Sequence, residues 1–300
     1  MNYPVVLTIA GSDSCGGAGI QADIKAIQAT GSYAASAITA VTVQNTSGVQ
    51  AVHTVPTEIV RGQIRAVLTD IGADAIKIGM LASRELVLTV RDAINAINGD
   101  RSFDRKINGD RSFDREISND LSPLIFPTIV LDPVMVATSG DRLIEESAVE
   151  TLKNELVPYA RVLTPNIPEA EILAGMSISG QSDLPDAARL ISKTVSTLPG
   201  RKVSVLMKAG HLENDMLVDY FYNAEEDHII ELPAKRVESR NTHGTGCTLS
   251  SALASYLAQG LSLDDAVRAA KRYIARAIEA GSRYEIGHGH GPVDHFFMLH

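Results

Sequence analysis

The sequence predicts an α/β protein with a central, mostly parallel sheet flanked by helices on both faces. Three observations predict it. Short β-branched runs alternate with helical patterns in the order βαβαβα. The strand candidates are near-continuously apolar, as strands buried on both faces are. The residues able to do chemistry fall just after those strands: the loop from Gly11 to Gly19, then Gln44, Met80, Asp132, Asn166 and Lys208. Ligands of open parallel sheets collect beyond the carboxyl ends of the strands, so this convergence predicts one active site.

PVVLTIAG (4–11) is the first strand, and AGIQADIKAIQATG (18–31) the first helix. Ile20, Ile24 and Ile27 share one face of that helix, and Gly31 stops it. SAITAVTVQ (36–44) is the next strand. PTEIVRGQIRAVLTD (56–70) is a helix opened by Pro56, and DAIKIGM (74–80) a strand. Ser83 can cap SRELVLTVRDAINAI, where Leu86, Val87, Val90, Ile94 and Ile97 form a stripe. PTIVLDPVM (127–135) is a strand that carries Asp132, and a helix follows near 145–156. ARVLTPN (160–166) is a strand, and PEAEILAG a short helix with Pro at its start. A helix at 183–197 leads to the strand KVSVLMKAG (202–210). LVDYFY (217–222) and HIIELPAKR (228–236) form an antiparallel pair, and helices at about 247–259 and 263–280 close the chain. A tandem polar repeat, INGDRSFDRK then INGDRSFDRE, interrupts the pattern. Too short and too few for a solenoid, it reads as a surface insertion at about 97–122 in a single domain spanning 1–300.

At 300 residues and 45% hydrophobic, the chain can bury a large core. It carries 36 acidic against 27 basic residues, a net −9. That balance argues against nucleic acid or an anionic membrane as partner. Any phosphate must be bound by local design. Cys15 and Cys247, with no CxxC, argue against a disulfide framework or thiolate zinc site. The opening MNYPVVLTIAGSDSCGG lacks a basic leader and long apolar run, so a soluble cytoplasmic protein is expected.

HGTGC (243–247) is the strongest local motif. Gly244 and Gly246 let backbone N–H groups turn toward one point, and the helix starting near Cys247 adds its positive end. That makes an anion hole for a moving phosphoryl group. The plainer reading of the motif is a glycine entry to a helix. GxxxxGK[ST] spacing is absent. GSDSCGGAGIQAD (11–23) contains GxGxxA, but the second strand ends VTVQNT without the ribose-binding acid of a dinucleotide fold. Its glycines fit close approach to a small neutral ligand, with Asp23 one turn beyond Gly19 and able to point at it. Lys208 at a strand end can neutralise phosphate oxygens, or be a solvated edge charge. Asn166 and Glu169 suit Mg²⁺ through waters, or a helix N-terminus; Asp132 has the same two readings. Nothing fixes GHGHGPVDH (His288, His290, His295) as a metal site.

AGSDSCGGAGIQADIKAIQATG, VTVQNT, IKIGML, LDPVM, TPNIPEAEIL, LMKAGH and NTHGTGCTLSSALA together resemble the hydroxymethylpyrimidine/phosphomethylpyrimidine kinases of thiamine biosynthesis, members of the ribokinase-like superfamily. The resemblance runs from about Val5 to GPVDHF; the repeat lies outside it. It implies a ribokinase-like fold, usually dimeric, and ATP-dependent phosphorylation of 4-amino-5-hydroxymethyl-2-methylpyrimidine, then of its monophosphate. It implies that Gln44 hydrogen-bonds the pyrimidine, with Gly11, Asp23 and Met80 around it. Asn166, Glu169 and Asp132 would organise Mg²⁺ and its waters. Lys208 would contact the nucleotide phosphates, and Thr242, Gly244 and Gly246 would line them. Cys247 stands where many relatives have a catalytic Asp. The helix N-terminus should lower its thiol pKa, so that it accepts the hydroxyl proton. The alternatives are a pyridoxal kinase of the same superfamily and a non-catalytic nucleotide-binding regulator. Gln44 suits an aminopyrimidine, which offers a donor and an acceptor on neighbouring atoms.

Overall fold

The computed structural model describes residues 3–99, 127–135, 144–210 and 215–300. From residue 100 on, the tandem repeat lies outside the described residues. The described strands form one nine-stranded sheet in the order β3-β2-β1-β4-β5-β6-β7-β8-β9. They are β1 (Val5–Asp13), β2 (Tyr33–Asn45), β3 (Gly48–Thr54), β4 (Ala75–Ile78), β5 (Thr128–Leu131), β6 (Val162–Leu163), β7 (Ser204–Met207), β8 (Met216–Asn223) and β9 (His228–Lys235). The pairs from β2 through β1, β4, β5 and β6 to β7 are parallel. The β2–β3 pair and the β7–β8–β9 end are antiparallel. The expected β8–β9 pair is present. β3 was not expected from the sequence: GVQAVHT is mostly exposed and pairs only with β2, so it shows no continuous apolar run.

Helices cover both faces, and strand alternation divides the core. Leu7 and Ile9 of β1, Ile76 and Ile78 of β4, and Ile129 and Leu131 of β5 point to one side. They meet α2 (Thr57–Asp70), α3 (Arg84–Gly99), α4 (Glu146–Thr151), α5 (Ile167–Ala174) and α6 (Leu184–Val195). Val6, Ala75 and Val130 point to the other side. There they meet α1 (Gly19–Ala29), α7 (Thr245–Ala258) and α8 (Leu263–Gly281). Ser83 accepts from the Leu86 amide at 3.3 Å, as its expected capping role requires. α4 is shorter than the expected 145–156 helix; a π turn at 152–156 and a 3₁₀ turn at 157–159 finish the segment.

Two features place the site. β1 has neighbours reached in opposite directions, β2 and β4, so a crevice opens at its carboxyl end. Its register with β2 also shifts between Ala10 and Ser12, which turns Gly11 into that crevice. The start of α7 faces the same end.

The position of α7 depends on its buried face. Leu253 on that face is fully buried. Leu253→Ala is expected to cost about 3 kcal/mol, the usual penalty for an unfilled aliphatic site. Urea unfolding of variant and parent checks this; a midpoint unchanged at equal slope would show that α7 is not held by this contact.

Candidate active site

A single cavity of about 750 Å³ joins most of the residues singled out above. Gly11, Gln44 and Met80 line one end. Asp132, Asn166, Glu169, Lys208, Thr242 and the Gly244–Cys247 turn line the middle. Leu217, Ala234, Val237, Ile274 and Ile278 form a far end that the sequence did not suggest, because it is assembled from β8, β9 and α8; the charged Asp219, Lys235, Arg236 and Lys271 line it too.

The turn is built by backbone sterics. Gly244 caps α7 with φ of 77°, a left-handed conformation that glycine adopts freely. A Cβ there would sit 2.7 Å from the Gly17 carbonyl carbon, so the two glycine-rich loops touch through bare backbone. No side chain caps this helix end. The first-turn amides of residues 246 and 247 therefore lie at the cavity with the positive end of the helix behind them, while the Thr245 amide donates to the Thr242 carbonyl at 3.4 Å. The helix begins at Thr245, two residues earlier than expected, which brings Gly246 and Cys247 into its first turn.

Gln44 is held by its backbone. Its N–H donates to Ser14 Oγ at 3.0 Å, and Ser14 Oγ donates to its carbonyl at 2.8 Å. Thr42 Oγ1 donates to Gln44 Oε1 at 3.2 Å. The amide Nε2 lies 3.5 Å from His243 Nε2. Thr39 Oγ1 fixes Met80 through the Met80 carbonyl at 2.9 Å.

The middle of the cavity is a charge cluster. Lys208 Nζ meets Asp132 Oδ1 at 2.8 Å, and Thr164 Oγ1 donates to the same oxygen at 2.9 Å. A bridge between Lys208 and Asn166 sets the lysine beside the start of α5. Asn166 and Glu169 form a reciprocal capping box: Asn166 N donates to Glu169 Oε2 at 2.8 Å and Glu169 N to Asn166 Oδ1 at 2.9 Å. The helix-capping reading of this pair is therefore met, and the capping side chains also line the cavity. Burial acts to raise the Asp132 carboxyl, but Lys208 and Lys77 outweigh it and hold it below the usual range. Burial would lower Lys208; Asp132 and Glu169 reverse that and hold it above its ordinary value. Burial pushes Glu169 up to about 7, aided by Asp132 and opposed by Lys208.

Two expectations are corrected. Asp23 does not line the cavity. It is wholly buried, and its carboxylate is engaged by Lys77 Nζ at 2.8 and 3.0 Å, Thr8 Oγ1 at 2.6 Å and Ser251 Oγ at 2.7 Å. It fails to reach a ligand because its helix face packs on β1, β4 and α7. The second correction concerns Cys247. Burial pushes its thiol up to about 11; Lys77 pulls down, but Asp23 and Asp132 push up. The helix N-terminus is a weak local effect beside desolvation and two carboxylates.

Lys77 and His243 were missed. Lys77 lines the cavity, and its one sequence signal was a lysine inside the apolar strand AIKI. His243 Nε2 pairs with Asp13 Oδ2 at 2.8 Å. Asp13 and His243 with Cys15 form a compact ligand-type cluster. Asp13, however, already accepts from the Cys15, Gly17 and Ala18 amides at 2.8 to 3.0 Å, so it clamps the loop. His295 packs in the core, 2.9 Å from Thr248 Oγ1.

A parallel sheet with a switch-point crevice, a helix start open to anions and a lysine–carboxylate cluster define a small-molecule kinase of ribokinase-like fold. Comparison with known proteins narrows this. A family model described as Phosphomethylpyrimidine kinase matches residues 13–101 and 111–294; the unmatched gap falls in the tandem repeat. A hydroxymethylpyrimidine/phosphomethylpyrimidine kinase of Rhizobium meliloti (strain 1021) is 44% identical over 292 residues, 97% of each chain. The solved phosphomethylpyrimidine kinase of Clostridium difficile 630 is 38% identical with a TM-score of 0.70, over 92% of this chain and all of that one (100%). The pyridoxal kinase of Staphylococcus aureus, solved with AMP-PCP and pyridoxal, is 30% identical with a TM-score of 0.79, over 99% of this chain and 94% of that one. The chain belongs to the phosphomethylpyrimidine kinase family.

The raised thiol pKa has a direct readout. In a Cys15→Ser background, alkylation of Cys247 by iodoacetamide is expected to be slow at neutral pH. It should accelerate about tenfold per pH unit toward the thiol pKa, because only the thiolate reacts. Lys77→Met should slow it further at every pH. A rate that levels off below pH 8 would contradict the burial of this sulfur.

Proposed function

We propose that this chain phosphorylates 4-amino-5-hydroxymethyl-2-methylpyrimidine with ATP, then phosphorylates the monophosphate to the diphosphate, as a thiamine-pathway enzyme. The observation that carries this reading is that Gln44 and the sulfur of Cys247 open onto one cavity, with the uncapped start of α7 between them. The ring lies at the Gln44–Met80 end and hydrogen-bonds the Gln44 amide. The nucleoside occupies the far end, against its apolar side chains. The phosphates bridge them, along Lys208, Thr242 and the amides of 244, 246 and 247. As the alcohol oxygen bonds to the γ-phosphorus, the bond to ADP breaks. The developing charge meets Lys208 and the helix start.

The alcohol proton passes to Cys247 Sγ as a thiolate. The raised pKa makes that thiolate scarce at neutral pH but strongly basic; Lys77 stabilises its charge, which the arriving proton neutralises. The second acceptor, a phosphate, ionises by itself and needs no base. Asp132 and Glu169 fit a divalent cation: they are oxygen donors, and the burial and mutual repulsion that raise Glu169 would be relieved by one. These residues and Asn166 would hold Mg²⁺ through waters, where it would neutralise phosphate oxygens.

The enzyme is a cytosolic dimer, in the same reading, with the chain as one kinase domain. Two free cysteines and the need for ATP suit the cytosol. Val41 and Val43 are 47% and 54% exposed on the β2 face opposite Thr42 and Gln44, an apolar stripe suited to a second copy. Light scattering should give twice the chain mass, and Val43→Asp should give monomer; a monomeric parent would remove this part.

ADP release is the decisive assay, with the pyrimidine alcohol, its monophosphate and pyridoxal each offered. The pyrimidine alcohol should have the highest kcat/KM. The similarity to a pyridoxal kinase keeps pyridoxal as the rival substrate, and its preference would replace the reading; release with none would return it to a nucleotide-binding regulator. Lys208→Ala should lower kcat by about 10²–10³. For the alcohol, kcat/KM should rise with pH above neutrality as thiolate accumulates, and Cys247→Ser should abolish that rise. Near-normal turnover in Cys247→Ser would reject the base role.

A further inference from the structure

GHGHGPVDH, near the end of the chain, is not part of the cavity wall, yet its backbone touches both halves of the site. We propose that residues 287–291 are a positioning strap that sets the ring seat at Gln44 against the phosphate turn at Gly244–Cys247. The proposal rests on the kinase reading above for its kinetic consequences, though not for its structural ones.

One side of the strap holds the end of β2. The Gly289 amide donates to Thr46 Oγ1 at 3.1 Å, and the His290 amide donates to the Thr46 carbonyl at 2.8 Å. Thr46 stands two residues after Gln44. The other side holds the phosphate turn. The His243 amide donates to the Gly291 carbonyl at 3.0 Å, and His243 bridges to Pro292 as a short parallel pair. His243 immediately precedes Gly244. Three consecutive residues, 289–291, therefore touch both partners of the transfer. The chain on either side of the strap is pinned: Asn241 Nδ2 donates to the Gly281 and Tyr284 carbonyls, both at 2.7 Å, and Tyr284 OH donates to Asp294 Oδ2 at 3.0 Å.

The glycines explain themselves by close approach. A Cβ at Gly289 would lie 2.6 Å from the Thr46 carbonyl carbon and 2.9 Å from Ser47 Cα. These are backbone atoms that cannot swing aside. A Cβ at Gly287 would lie 2.6 Å from Thr46 Cγ2, a side-chain atom that can be removed. The His288 and His290 side chains are exposed, so their backbone matters and their imidazoles do not. Phosphoryl transfer needs the acceptor oxygen within about 3–3.5 Å of its target, and a displacement of about 1 Å costs up to 10²-fold. A ring seat moved by the strap would lose the alcohol's geometry while leaving the nucleotide seat in place.

The test uses the full-length enzyme. Gly289→Ala should raise KM for the pyrimidine alcohol about tenfold or more, with KM for ATP changed by less than about twofold. Thr46→Val removes one acceptor and little else, and should raise the same KM about threefold. Gly287→Ala should behave like Gly289→Ala, because Gly287 crowds Thr46 and also has a φ of 74° that alanine adopts only under strain. His288→Ala and His290→Ala should match the parent. Hydrogen exchange of residues 42–49 in the unliganded enzyme should be faster in Gly289→Ala and Thr46→Val. A strap with no positioning role would lower stability while leaving both KM values unchanged, and that result overturns the proposal, as does an equal rise in both. Unchanged exchange at 42–49 overturns it too. Should Gly289→Ala not fold, Thr46→Val decides. If the parent turns over no alcohol, the kinase reading fails, and exchange at 42–49 alone judges the strap.

Discussion

The site depends on one close approach: the α-carbon of Gly244 pressed against the backbone of Gly17. It requires glycine and a left-handed conformation at the entry to α7. From this contact the rest follows geometrically. It brings the loop after β1, which carries Gly17 and leads to α1, against the start of the helix that carries Cys247. It also places His243 where it can pair with Asp13, whose carboxylate gathers three loop amides. Burial acts to raise Asp13, yet His243 and those amides hold its carboxyl below the usual range. The clamp is therefore ionic on one side across the neutral range, and the two loops stay joined.

Beneath that contact lies the buried Lys77–Asp23 pair. Placing both charges out of water costs several kcal/mol, and mutual attraction in the interior offsets this only when hydrogen bonding is complete. Here Asp23 is completed by Thr8 and Ser251. Ser251 sits one helical turn after Cys247, so the pair is fastened to the same face of α7 that carries the sulfur. Burial would lower Lys77, but Asp23, Cys247 and Asp132 hold it above its ordinary value, so it is a permanent cation. A permanent cation beside a reluctant thiol stabilises the thiolate, and the interior supplies a stronger field than surface charges could. A chain with net charge −9 thus gathers cations, Lys77 and Lys208 among them, in the wall of its cavity.

Much of this was legible in the sequence, and the rest was hidden for identifiable reasons. The order of strands and helices followed from period and punctuation, since buried parallel strands and amphipathic helices each leave a local pattern. The convergence of Gln44, Met80, Asp132, Asn166 and Lys208 followed from their place after strands, and Gly244–Cys247 was read from its glycines at a helix start. β3 was hidden because edge pairing needs no apolar run. β6 is two residues long, shorter than the run ARVLTPN suggested. Asp23 looked ligand-facing because only its spacing from Gly19 was visible; its true partner, Lys77, is 54 residues away. The direction of the Cys247 shift was hidden for the same reason. The helix start is written locally, but burial and the two carboxylates come from elements far apart in the chain.

The strap and the thiol belong to one physical problem. An alcohol is a poor nucleophile, and a loose transition state gives the protein little covalent chemistry to assist. Rate must then come from holding the oxygen in line and from meeting charge as it moves. The first is a matter of distance between Gln44 and the start of α7, two elements that share no direct hydrogen bond except through His243. A backbone strap spanning Thr46 and His243 controls that distance without entering the cavity. The second is a matter of field, supplied by Lys77, Lys208 and the open helix end. A phosphate acceptor needs the distance but not the base, so one frame can serve two successive transfers. What distinguishes them is the proton, so on the proposed reading Cys247 would serve the alcohol step and the strap would serve both.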